Sequence, residues 1–141
     1  MQIDTEYFGQ LEVEEERILL FPWGLPGFET CRRFVLLEER SFFWLQSVER
    51  KEVVFAVCDP FVYFPDYEIE LPTAECELLA ITQPEEVVIL AMMNIMSPTE
   101  IGVNLLAPVV INCALKIGKQ VILEGSGYSL RQPLTLEKTT T

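Results

Sequence analysis

Short apolar or alternating runs recur along the whole chain, broken by Pro and Gly. They predict strands at Ile3–Phe8, Arg17–Phe21, Phe34–Leu37, Phe42–Val48, Val53–Cys58, Glu68–Leu71, Val87–Asn94, Val109–Cys113 and Gln120–Glu124, rich in the Val, Ile, Phe and Tyr that suit a pleated surface. Asp66 to Leu71 alternates without a break, with Asp66, Glu68 and Glu70 on one side and Tyr67, Ile69 and Leu71 on the other. Val87–Met93 is apolar on both faces, which predicts a place deep in the core. Thr73–Ala80 alone reads as a helix, with Thr73 as N-cap after Pro72 and Glu75 in the first turn. Many short strands with turn residues between them predict an all-β fold: an antiparallel, barrel-like or sandwich single domain with one short helix.

At 141 residues, half of them apolar and nine of them Phe, the chain can bury one sizeable core. The longest apolar run, Val87–Met93, falls far short of the roughly 20 residues of a membrane helix. Met1-Gln2-Ile3-Asp4 is no basic region followed by an apolar stretch, so a soluble cytoplasmic protein is expected. The four cysteines, at 31, 58, 76 and 113, form no CxxC pair, and free thiols are expected. Cys58 and Cys113 sit in apolar runs and read as small buried hydrophobes. The net charge of −12 is unevenly spread. From Glu52 to Leu115 there is no Lys or Arg, but ten acids. That disfavours direct nucleic-acid binding, which needs clustered cations, and suits a basic protein partner.

Candidate chemistry is sparse. Without histidine the commonest general base and metal ligand is missing. Cys31, beside Arg32 and Arg33, is the one thiol with neighbours that could activate it, although a plain structural Cys is the simpler reading. Gly125-Ser126-Gly127 lacks the GxSxG pattern of a nucleophile elbow and reads as a turn. Alternate carboxylates on a strand stand about 6.6 Å apart, within the roughly 6.5–9.5 Å of an inverting glycosidase pair. Any strand with an acidic outer face has that spacing, and exposed charge also protects strand edges. Glu12, Glu14, Glu15 and Glu16 read as a solvated face. No enzyme, metal site or cofactor is expected.

Several segments together resemble the FliW family. They are Phe21-Pro22-Trp23-Gly24-Leu25-Pro26-Gly27-Phe28, Phe42-Phe43-Trp44-Leu45-Gln46-Ser47, Asp59 to Tyr67, Asn104 to Asn112, Gly118 to Glu124 and Tyr128 to Leu134. Their order and spacing cover roughly residues 2–134, which makes 1–134 a FliW-like β domain and leaves 135–141 as a flexible tail. The resemblance implies a compact barrel-like fold and a flagellar assembly factor. Such a factor binds cytoplasmic flagellin at its helical terminal region and, when flagellin is scarce, binds and antagonises the translational repressor CsrA. A monomer when free is expected; the alternative is an unrelated acidic all-β chaperone or regulator of a basic partner.

Candidate partner-binding residues are Phe64, Asp66, Tyr67, Glu68, Glu70, Asn104 and Leu105. Phe61, Tyr63, Phe64 and Tyr67 read first as core packing and second as an aromatic patch for an amphipathic helix. Asn104 and Asn112 read as partners for backbone groups at strand ends, Trp23 and Trp44 as core, and Phe21–Phe28 as a sharply turning connection.

Overall fold

A computed structural model describes residues 1–134; the segment 135–141, expected to be a tail, lies outside the described residues. The strands are β1 (Gln2–Thr5), β2 (Gly9–Glu12), β3 (Leu19–Leu20), β4 (Arg33–Glu38), β5 (Phe43–Ser47), β6 (Val54–Cys58), β7 (Val87–Ser97), β8 (Glu100–Val103), β9 (Val109–Asn112), β10 (Ile117–Gln120) and β11 (Gln132–Leu134). Strands β1 and β2 form a separate hairpin. The other nine share a sheet in the order β11-β8-β7-β6-β5-β4-β3-β10-β9, and β7 pairs again with β9. That second pairing closes β3, β4, β5, β6, β7, β9 and β10 into a barrel. Every pairing is antiparallel except the contact of Ile117 with Leu20, between β10 and β3.

The eleven-residue β7 makes the closure possible. Val87–Leu90 pairs with β9, Ala91–Met93 with β6, and the rest runs on to pair with β8. The register puts Phe34, Leu45, Val57, Leu90, Val109 and Ile111 on one face, and they form one buried cluster, the barrel interior. The Phe21–Phe28 connection plugs it. Gly24 and Gly27 take left-handed φ of 67° and 86°, and Phe21 packs edge-on to Phe34 with centroids 5.2 Å apart. Cys31, fully buried with this plug, is a core residue, which closes the reactive-thiol reading.

The outer face of the barrel is apolar too, because other parts of the chain cover it. The β1–β2 hairpin lays Ile3 against Val35. Cys58, Ala91 and Val110 lie under Tyr67, Leu79, Ile101, Leu105 and Leu123. Covering on both sides explains why the strands read as continuous hydrophobic runs. Even so, Val87–Met93 is not deep throughout: Leu90 and Ala91 are buried, whereas Val88, at the barrel mouth, is 39% exposed.

Several other expectations are corrected. Glu68–Leu71 joins no sheet, because among the described residues neither of its edges meets a partner strand, although its alternating burial persists. In the 120–124 region the strand ends at Gln120, but Val121 and Leu123 remain buried, their N–H groups donating to the Pro108 and Leu106 carbonyls. Among the described residues two short α-helices form rather than one: α1 (Pro60–Tyr63) and α2 (Thr73–Leu78). Asp59 caps α1, and Pro60 fits its first position. In α2 the cap is Pro72, not Thr73, and no side chain caps it. Cys113 is exposed just past β9, its N–H drawn to the Glu86 carbonyl. Trp23 is 43% exposed and Trp44 half-buried, so neither is a core tryptophan.

Candidate functional site

Between α1 and α2 the chain forms a strap over residues 66–72, held along one side of the barrel. Its anchor is Tyr67, 4% exposed, whose hydroxyl donates to the Leu105 carbonyl at 2.7 Å. Burial pushes the Tyr67 phenol well above its ordinary pKa, with a smaller push from Tyr128, so the donor proton stays in place. Tyr128 packs edge-on to Tyr67 at 4.7 Å and accepts the Glu68 N–H at 2.9 Å, while the Phe61 ring meets Tyr67 at a tilt, 5.5 Å away. Tyr128 is delivered by the Gly125-Ser126-Gly127 turn, whose two glycines take φ of 76° and 81°. Its hydroxyl is a buttress that sequence reasoning missed; the glycine turn just before it was the available signal.

Hollows lie on both sides of the strap. One, about 800 Å³, is floored by Phe61, Ile69, Leu71, Ile81, Val87 and Ile89. The other, about 640 Å³, lies between the strap and Leu123, Glu124 and Tyr128. Glu68 and Glu70 border both, and among the described residues no Lys or Arg lines either. Nearby carboxylates are held in place. Glu75 pairs with Lys119 at 2.8 Å, tying α2 to β10. Glu86 accepts the N–H groups of Thr82 and Gln83 at 3.0 and 3.2 Å, and the bond from Thr82 leads in holding its carboxyl below the ordinary 4.5. The arrangement is an apolar floor with an acidic rim, suited to a basic amphipathic segment.

The predicted residues thus separate by place. Asp66, Glu68 and Glu70 are exposed on the strap, and Phe64 is half-buried at its start. Tyr67 and Leu105 are bonded to each other and buried, so they hold the strap and present no surface. Asn104 accepts the Ala107 N–H at 2.9 Å, closing its own loop, and Asn112 donates to the Leu79 carbonyl at 2.8 Å, as expected of strand-end asparagines. Because the three strap carboxylates lie on no sheet strand, the regular strand spacing behind a glycosidase pair does not apply to them.

The sequence profile of the FliW protein family matches residues 2–134. The chain belongs to the FliW family. It is 41% identical over 138 residues to the flagellar assembly factor FliW of Bacillus licheniformis, covering 95% of this chain and 96% of that one. The Bacillus subtilis flagellar assembly factor FliW is 38% identical over 138 residues, again 95% and 96%. A crystal structure of the flagellar assembly factor FliW superposes with a TM-score of 0.90 at 38% identity, over 98% of this chain and 99% of that chain. Closed barrel, plug and strap are thus parts of this chain's FliW fold. Among the described residues no helix is long and apolar enough to cross a membrane.

Proposed function

We propose that this FliW-family chain acts in flagellar assembly as a non-catalytic cytoplasmic binding module, taking flagellin and the repressor CsrA as alternative partners. The family match over residues 2–134 carries this reading. The surface chemistry fits it: the strap exposes three carboxylates, two of which border an apolar-floored hollow, in a stretch of sequence without a single Lys or Arg. Flagellin bound at a helical segment would lay an apolar face on such a floor. CsrA, an RNA binder, offers the basic surface that acidic rims attract.

In this reading the acidic face also weakens the hold of CsrA on RNA without covering its RNA site. One carboxylate about 10 Å from a phosphate is worth only about 0.4 kcal/mol in water, before screening. A tenfold loss of RNA affinity needs about 1.4 kcal/mol. A group of about four to six carboxylates therefore reaches that level and one does not. The test is release of a flagellin-message leader from CsrA at low salt. Wild type should release it, and the triple reversal Asp66→Lys, Glu68→Lys, Glu70→Lys should release it at least tenfold less well. Undiminished release by the reversed protein would refute the electrostatic part of the proposal.

A further inference from the structure

The tip of the β1–β2 hairpin leaves Tyr7 58% and Phe8 40% exposed, a large apolar surface to keep in water. Scattered exposed hydrophobics need no explanation, but this tip is built and fixed. The Thr5 hydroxyl accepts the Phe8 N–H at 2.9 Å and donates to the Gly9 carbonyl at 2.7 Å. The Glu6 N–H is bound by the side chain of Gln46 at 3.2 Å. Gln46 is 1% exposed, and its amide also donates to the Ser47 and Lys51 carbonyls, both at 3.0 Å. A buried amide is thus committed to holding this turn in one shape.

The rings are ordered as well. Tyr7 packs at a tilt on Trp44 with centroids 4.6 Å apart, and Phe42 meets Trp44 edge-on at 5.0 Å. The Trp44 indole N–H donates to the Glu39 carboxylate at 2.9 Å, the charged group bonded to the cluster; Glu6 is exposed beside Tyr7. The nearby cations Arg40 and Lys51 form no ion pair among the described residues. Aromatic faces with carboxylates at their edge attract a guanidinium or ammonium group twice over. Rigid aromatic anchors are also the side chains that dominate protein interfaces. The cluster continues towards the strap, since the Tyr63 hydroxyl donates to the Ser41 carbonyl at 2.8 Å, next to Phe42.

We infer that the hairpin tip, Tyr7 and Phe8 with Trp44, is a docking surface for a basic protein segment carrying arginine between apolar residues. The inference stands whichever partners the strap takes. It is tested in the full chain with Trp23→Phe, which leaves Trp44 as the sole tryptophan emitter. The probes are a capped peptide alternating arginine and leucine and its glutamate–leucine counterpart, each at low salt. Saturable change in Trp44 emission is expected with the arginine peptide alone. Binding should weaken at least tenfold in Tyr7→Ala/Phe8→Ala and persist in Tyr7→Phe, which keeps the ring. Because these variants leave the net charge untouched, general attraction to an acidic protein predicts no difference between them. Equal affinity in the double alanine variant, a response to the glutamate peptide, or no saturable response would each overturn the inference.

Discussion

Gly118 lacks a side chain because Phe21 occupies the space: a Cβ there would stand 2.8 Å from two atoms of the Phe21 ring. Phe21 is fully buried in the barrel plug and cannot swing out to water. Gly118→Ala should therefore destabilise the fold by about 1–3 kcal/mol, the usual cost of overpacking. Tyr67→Phe keeps the ring but leaves the buried Leu105 carbonyl without its donor, which should also cost about 1–3 kcal/mol. Urea denaturation of both variants measures this, and wild-type midpoints would contradict it. Sequence reading caught some of these residue roles. Asn112 was legible because an Asn closing an apolar run has few other tasks. Tyr67 was legible only as a buried aromatic, since nothing local names its acceptor, 38 residues away. Cys113 was misread: the apolar run stops at Ile111 and β9 ends at Asn112, one residue before it.

Among the elements, the strap shows how alternation can outlive a strand. Asp66 to Leu71 keeps carboxylates out and apolar side chains in, because one side meets the barrel and the other water. Pairing needs a free edge alongside, which no sequence pattern supplies. β2, β8 and β11 went unrecognised, and β10 was met only at Gln120, for the opposite reason: each is too short to show a period. Asp59-Pro60 carried a helix-start signal that the aromatic run after it obscured. The turn ahead of β7 depends on Glu86, whose carboxylate is favoured by N–H donors in the folded state. Its folded pKa lies below the unfolded value, so its contribution is complete above that value and is lost as pH falls through the folded one. A carbon-detected NMR titration should place the Glu86 midpoint below 4.5, and a midpoint at or above it would contradict this account of the turn.

For the molecule as a whole, an all-β fold of barrel-like or sandwich form was legible, but which strands close the barrel was not. Closing the ring brings Leu20 beside Ile117 and gives β7 two partners in succession, consequences of twist and length that no local pattern encodes. Charge distribution was legible in full, and it sets a global property. A net charge of −12 repels itself in the compact state, so the melting temperature should rise as NaCl is added to about 0.5 M. A flat or falling response would mean that the acids are spread too widely for screening to matter. The central claim is that one acidic surface serves two competing partners. Calorimetric titration of this protein with the CsrA and the flagellin of its own organism tests it most directly. Saturable binding of each, with either partner weakening the other when preloaded, is the predicted result; binding of neither, or of both without mutual effect, would contradict the account.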